Sequence, residues 1–292
     1  MTSRRSMRLL GIEVPEALMR RWRSYLAPER QPFFVRPQDG FACVDLEDAP
    51  ELDDDLRCTY TGWRIRDATA VVWLDESSFM DLPRADRARL VRLQALKRRG
   101  AVPTVRRWEH DFDRDRLRSQ ADGHRFVWWP SLLDLNPEPV IRAQVEDGRQ
   151  LASRHEEVSE ATWARCQERL PRARAVVGVF PPSSGPNCFG ATVAAVGRAP
   201  TGARVLREPF ESFLAECCTR GGSDEDVGTV LVWRDRQGLV SHSAITIGDG
   251  WGIEKPAETW WTPTIVAEAA QLVRINRALG LRLERHRLAS TR

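Results

Sequence analysis

An antiparallel hairpin in the last quarter of the sequence constrains the fold more than any other stretch. Residues 239–248 (LVSHSAITIG) and 251–256 (WGIEKP) alternate in polarity and are rich in β-branched and aromatic residues, which is typical of strands. The Asp249-Gly250 dipeptide between them is a strong signal for a hairpin turn. Because another strand is predicted at residues 228–235, this part of the chain should form an antiparallel sheet.

Helical patterns flank these strands. They cover residues 159–174, where Ser159 is the expected N-cap, and residues 189–196, 208–218 and 263–280. Residues 281–288 form a short tail that could add one more strand. Helices followed by antiparallel strands, rather than strictly alternating with them, predict the α+β class.

The first half of the chain carries weaker signals. Residues 14–27 and 82–100 are predicted helices, residues 57–75 predict two strands around a polar turn at 66–68, and residues 124–133 predict a strand ending at Pro130. We therefore expect an uncharacterised N-terminal α+β domain over residues 1–156 and a second domain over residues 157–292.

Composition excludes several classes of partner. The net charge is only +3, which does not favour nucleic-acid binding. The sequence shows neither an apolar run of the roughly 18–20 residues that span a membrane nor a secretory signal, so we expect a cytoplasmic protein without membrane contact. Its six cysteines form no CxxC pair and have no zinc-like histidine spacing, so no metal and no disulfide framework are expected.

Cys188 stands apart from the other five cysteines, which are expected to be small buried residues. It follows the polar turn SSGPN and precedes FGATVAAV, a short helix-compatible stretch. A thiol at a helix N-terminus is favoured as a thiolate by the helix dipole, and the free N–H groups there can stabilise an oxyanion. This position makes Cys188 a candidate nucleophile.

His242 and Glu254 are candidate partners for this thiol. His242 lies on the predicted strand 239–248 and can act as a general base. Glu254 follows twelve residues later, across the turn, where the hairpin should pair it near position 246, about one diagonal step from His242. A carboxylate at that distance can orient the imidazole ring. Lys255 should point to the opposite face and lie at the surface.

Four further residues are candidate substrate contacts. Asn187, Phe189 and Gly190 flank the cysteine, and Gly190 would let a substrate approach the backbone. Trp251, with Trp260 and Trp261, could wall a cleft, although aromatic core packing is the commoner role.

The C-terminal half resembles the NlpC-type cysteine peptidases, a family with a papain-like fold. The resemblance rests on NCFG (187–190), VGTVLVWRD (227–235), HSAITIGDG (242–250) and Glu254, which follow one another in the family's order and spacing. It covers roughly residues 157–262. It implies a papain-like domain in which Cys188, His242 and Glu254 form the catalytic triad.

The sequence departs from the family pattern at four positions. Asn187 replaces the usual aspartate, Phe189 the usual serine, and Phe180 falls near the expected position of a tyrosine. Glu254 takes the place of the commoner His, Asn or Gln. These departures concern the substrate class more than the chemistry.

The expected function is thiol-dependent hydrolysis of an amide in a small-molecule or peptide-like substrate, without a cofactor. Acyl transfer to an amine or alcohol is the second hypothesis, and a non-catalytic binding module is the third. The N-terminal half, through Trp128 and Trp129 or the 57–75 hairpin, could form a wall of the substrate cleft.

Overall fold

The chain forms two compact units in a computed structural model that describes residues 7–61, 65, 67–121, 123–148 and 151–289. The sheet unit comprises Met1–Pro15 and Val145–Arg292, and the inserted unit comprises Glu16–Gln144. The division therefore falls at Gln144 and not at residue 156, and residues 7–15 group with the C-terminal half.

The structure contains short strands and helices throughout the described ranges. The strands are β1 (Met7–Leu9), β2 (Ile12–Val14), β3 (Arg30–Val35), β4 (Val44–Asp45), β5 (Ala70–Asp75), β6 (Cys218–Arg220), β7 (Val227–Arg234), β8 (Val240–Gly248), β9 (Trp251–Glu254), β10 (Ile265–Glu268) and β11 (Arg282–Leu288). The helices are α1 (Glu16–Leu26), α2 (Asp54–Leu56), α3 (Glu76–Asp81), α4 (Arg84–Leu96), α5 (Val105–Trp108), α6 (Arg114–Ser119), α7 (Pro130–Leu133), α8 (Pro137–Glu146), α9 (Glu160–Gln167), α10 (Ala173–Val176), α11 (Cys188–Ala195), α12 (Arg207–Cys217) and α13 (Ala269–Ala278).

The fold is mixed α and β with antiparallel sheets, in agreement with the predicted α+β class. The sheet unit is organised around six strands in the order β10-β9-β8-β7-β11-β6, and every neighbouring pair is antiparallel. The tail strand β11 thus lies inside the sheet, between β7 and β6. Within the described ranges, no helix combines the length and the apolar character needed to cross a membrane.

The predicted hairpin is formed by β8 and β9. Its turn holds Gly248, Asp249 and Gly250 at φ values of 94°, 52° and 74°, a left-handed backbone that glycine and aspartate tolerate better than β-branched residues. A β-bulge between Thr246 and Gly248 shifts the register, so Glu254 lies opposite Ala244 rather than position 246.

Helices cover both faces of the sheet. The helices from α9 to α12 pack on one face, which carries Val230, Val232 and Ile245. Helix α13 packs through Leu272 on the other face, against Leu231 and Ala244. Burial on both faces explains why β7 is apolar at successive positions from Val230 to Trp233.

The predicted helix over residues 263–280 is wrong in its first turn. Residues Ile265–Glu268 form β10, which pairs with β9 at the edge of the sheet, and α13 begins only at Ala269. The β-branched Ile265 and Val266 fit a strand that is buried against β9, and this tertiary pairing overrides the helical period.

Two predictions in the inserted unit are also wrong. Residues Arg57–Thr61 form a π-helical turn after α2, so only Ala70–Asp75 of the 57–75 stretch is a strand; positions 62–64 and 66 lie outside the described residues. Of residues 124–133, only Arg125 forms an isolated bridge, with Thr104, and Pro130 begins α7 rather than ending a strand.

The two tryptophans expected to wall a cleft are core residues of the inserted unit. Trp128 packs edge-on against Phe126 at 4.8 Å between ring centroids, and Trp129 contacts Phe79 at 5.4 Å. Both are almost completely buried. Burial in this aromatic core removes their faces from solvent and leaves them no surface for a ligand.

Candidate active site

Helix α11 begins at Cys188, as the sequence predicts. Asn187 is its N-cap, and the Asn187 Oδ1 atom accepts a hydrogen bond of 2.9 Å from the Gly190 backbone N–H. The thiol is half-buried at the first helical position. Helix geometry leaves the N–H groups of Cys188 and Phe189 without partners inside the helix, so they are available as oxyanion donors.

Asn187 does more than cap the helix. Its Oδ1 also accepts from the Val205 N–H at 3.2 Å, and its Nδ2 donates to the Val205 carbonyl at 2.8 Å. The side chain thereby ties the start of α11 to the segment that leads into α12. Its polar atoms are engaged within the fold, which argues against the expected role in substrate binding.

Phe189 and Gly190 likewise serve the fold. Phe189 is buried and stacks on Phe210 of α12 with 4.4 Å between ring centroids. A Cβ atom at Gly190 would lie 1.9 Å from the Ala203 carbonyl oxygen. The close approach of the chain's own backbone accounts for a glycine at this position, and a role in admitting substrate stays a prediction.

His242 and Glu254 form a buried pair on neighbouring strands. The His242 Nε2 atom lies 2.5 Å from the Glu254 Oε1 atom, and the two residues are 9% and 5% exposed. Since Glu254 is opposite Ala244, the pair is diagonal across β8 and β9, as the sequence predicts despite the register shift.

Cys188 also acts on the imidazole of His242. The thiol lies close enough to the ring that its charge and its hydrogen-bonding capacity both raise the pKa of His242. The Thr192 and Ser243 hydroxyls, 2.9 Å apart, join α11 to β8 one residue from the histidine. The structure thus brings together the three residues expected to be catalytic.

The electrostatics of the site favour a charged imidazole. Burial lowers the pKa of His242, but the charges on Cys188 and Glu254 and the hydrogen bonds to both outweigh it and raise the pKa to about 10. At neutral pH the imidazole of His242 is therefore favoured in its charged form.

Two further side chains surround the histidine and were not found from the sequence. Trp233, opposite His242 on β7, lies 5.5 Å away between ring centroids. Asn276 of α13, 4% exposed, donates a hydrogen bond of 3.0 Å to Glu254 Oε1. Its only sequence signal is a polar residue four positions after Leu272, on the buried face of an amphipathic helix.

Trp251 does not join this group. It is three residues from Glu254 on β9, about 10 Å along the strand, and its side chain has the opposite parity. Its ring packs under the Arg154 guanidinium, 4.7 Å from the ring centroid, and against the core on the α9–α12 face. Trp260, which was expected to pack in the core or wall a cleft, is completely buried.

The loop of residues 255–264, between β9 and β10, forms hydrogen bonds to the turn before Cys188. The Gly185 N–H donates to the Glu258 carbonyl at 2.8 Å, and the Trp260 N–H donates to the Ser184 hydroxyl at 3.1 Å. Lys255 is 2% exposed and not at the surface as expected; its Nζ donates to the Ala257 and Thr262 carbonyls, each at 2.7 Å. These bonds fix the loop against the cysteine turn.

The other cysteines have different surroundings from Cys188. All six lie in the described part of the chain and are free thiols. Burial raises the pKa of Cys166 to about 11, and burial together with the neighbouring Cys217 raises the pKa of Cys218 to about 12. These two thiols are poor nucleophiles at neutral pH.

Comparisons of the sequence with protein-family models and curated proteins, and of the structure with solved structures, find no match. The chemistry of this site is therefore argued from its own geometry.

Proposed function

We propose that the chain is a thiol-dependent amide hydrolase of the NlpC-like, papain-like type, in which Cys188, His242 and Glu254 form a catalytic triad. The observation that carries the proposal is the grouping of three side chains: a thiol at a helix N-terminus, an imidazole whose pKa that thiol raises, and a buried carboxylate 2.5 Å from the imidazole. A cysteine-headed helix packed on an antiparallel sheet supports the papain-like arrangement.

The first half-reaction forms an acyl-enzyme. The Cys188 thiolate attacks the substrate carbonyl, a C–S bond forms, and the N–H groups at the start of α11 stabilise the oxyanion. The His242 imidazolium gives its proton to the amine as the C–N bond breaks. Glu254 holds the ring in the orientation that allows this transfer.

The second half-reaction releases the acyl group. Neutral His242 takes a proton from water, the resulting hydroxide attacks the thioester carbonyl, and the C–S bond breaks. The products are a carboxylic acid and the restored thiolate–imidazolium pair. An amine or alcohol in place of water would yield a transferred acyl group by the same steps.

An activated ester tests this proposal without knowledge of the natural substrate. Addition of p-nitrophenyl acetate to the native chain should release nitrophenolate in a burst of one equivalent, with the acetyl group mapped by mass spectrometry to Cys188. The Cys188→Ala variant should give no burst, while the matched control Cys217→Ser should behave as the native chain does.

The later course of the same experiment separates the alternatives. Turnover in water supports a hydrolase, whereas turnover that requires added ethanolamine or glycylglycine supports an acyltransferase. Absence of a Cys188 adduct would overturn the enzyme proposal and favour a binding module.

A further inference from the structure

Glu254 is a buried carboxylate, and the source of its hydrogen bonds determines how well it can serve His242. Two donors converge on its Oε1 atom: the His242 ring at 2.5 Å and the Asn276 Nδ2 at 3.0 Å. A carboxylate that is only 5% exposed must be compensated by such donors, because water cannot reach it freely.

The Asn276 amide is itself held in place. The same Nδ2 atom donates a second hydrogen bond of 3.0 Å to the Leu272 carbonyl, one turn earlier on α13. The two protons of the amide are thus shared between its own helix and Glu254, and the side chain has one orientation that satisfies both.

Asn276 is a poor choice for the fold alone. The position lies on the face of α13 that packs on the sheet, next to Leu272, where an apolar side chain would gain more from burial. Asparagine also has a lower helix propensity than leucine. A requirement of Glu254 for a donor explains the polar residue.

We propose that Asn276 is a positioning residue that holds Glu254 for its role behind His242; the proposal rests on the proposed function of this site. Through this bond Glu254 stays aligned with the imidazole and keeps it as an imidazolium during attack by the thiolate. Without the amide, Glu254 would be free to rotate away from the ring, and the imidazolium would lose part of its stabilisation.

The charged groups that act on His242 come from two elements. Cys188 of α11 and Glu254 of β9 raise its pKa, while β7 and α13 contribute the uncharged Trp233 and Asn276. A change at Asn276 therefore reaches His242 through Glu254, and adds or removes no charge.

Two alkylating reagents measure the charge on His242 without any substrate. Iodoacetate is an anion, so the imidazolium draws it towards the Cys188 sulfur, which attacks its CH₂ carbon and displaces iodide; iodoacetamide is neutral and is not drawn in this way. The ratio of the two rates at Cys188, followed with pH, should fall as His242 loses its proton.

The expected result for Asn276→Leu is that this fall occurs at a pH lower by about one unit. A Glu254 side chain that rotates away takes with it the charged hydrogen bond to His242, and losing such a bond changes an equilibrium by roughly tenfold or more. Asn276→Ala should give the same direction and serves if the leucine variant folds poorly. Val273→Ala, a truncation on the same helix at a side chain that has no hydrogen-bonding group, is the matched control and should leave the midpoint unchanged.

A double variant tests whether the effect passes through Glu254. In the Glu254→Gln background, Asn276→Leu should cause no further shift, since the carboxylate it would position is gone. An equal shift in both backgrounds, or an unchanged midpoint in Asn276→Leu, would overturn the positioning role.

The same alkylation rates distinguish a failure of the proposed function from a failure of the inference about Asn276. If Cys188 of the native chain reacts with iodoacetate no faster than a free thiol, the triad itself is wrong. If the native chain reacts fast and only the Asn276 variants are unaffected, the triad stands and the inference about Asn276 fails.

Discussion

Replacing Gly190 by alanine tests why a glycine stands in the first turn of the cysteine helix. The Gly190 backbone has no positive φ, so helix propensity alone predicts that alanine would stabilise the protein by about 0.5–1 kcal/mol. The structure predicts the opposite. The new Cβ would lie 1.9 Å from the Ala203 oxygen and 2.8 Å from the Ala203 carbonyl carbon, where ordinary contacts begin at 3.4 Å.

The loss of stability in Gly190→Ala depends on which atoms must move to make room for the new Cβ. The Cβ is roughly 1.5 Å too close to backbone atoms, and neither α11 nor the Ala203 segment can yield by a side-chain rotation. Overpacking costs about 1–3 kcal/mol in general, and a clash between two backbones belongs at the upper end. We therefore expect Gly190→Ala to lower the free energy of unfolding by about 3 kcal/mol.

Urea unfolding followed by circular dichroism at neutral pH measures this loss. The matched control is Gly252→Ala, also without a positive φ, whose Cβ would lie 3.1 Å from the end of the Leu272 side chain and no closer than 3.7 Å to backbone atoms. It should cost less than about 1 kcal/mol. Unchanged stability of Gly190→Ala, with a loss confined to substrate affinity, would refute the steric argument and restore the interpretation of Gly190 as a substrate contact.

Three other predictions concern the site and the hairpin turn beside it. Sub-stoichiometric iodoacetamide near neutral pH should label Cys188 first, because its partner His242 is an imidazolium; peptide mapping that finds another cysteine labelled first would contradict this. Glu254→Gln should reduce turnover of p-nitrophenyl acetate less than His242→Ala, since loss of general acid–base transfer costs about 10²–10⁴-fold; equal losses would mean that Glu254 does not act by orienting the ring. The hydrogen bond from Thr162 and the charge of Arg165 lower the pKa of Asp249. This carboxylate therefore contributes stability above its unfolded pKa of about 3.9, and the contribution is lost as the pH falls through the lower pKa of the folded state. When the free energy of unfolding is followed into acid, Asp249→Asn should lose less stability than the native chain.

Local sequence signals predicted the part of the site that depends on local structure. The Asp249-Gly250 turn and the flanking alternation predicted the hairpin that pairs Glu254 with His242, and the small residues after Asn187 predicted a helix headed by Cys188. The signals for the turn and its two strands lie within about twenty residues of one another. Tertiary contacts therefore change the register of β8 and β9 but not the fact that they pair.

Features that depend on distant parts of the chain were not predictable from the sequence. Lys255 can be buried because two carbonyl groups of its own loop accept hydrogen bonds from its ammonium group. The polarity pattern of the sequence does not indicate these bonds. A glycine is needed at position 190 because the Ala203 carbonyl lies close to it, and Asn276 is hydrogen-bonded to Glu254. Both contacts form only in the folded chain. The strand Ile265–Glu268 was predicted as helix because its pairing partner, β9, decides its conformation.

The interior position of β11 has a consequence for synthesis of the protein. During translation β7 emerges long before Arg282–Leu288, and until then one side of β7 and both sides of β6 expose unpaired N–H and C=O groups. Such open edges promote aggregation of nascent chains. A release of the chain before β11 leaves the ribosome would therefore cost the six-stranded sheet an inner strand, whereas loss of β1 would leave that sheet intact and remove one strand of a separate two-stranded sheet.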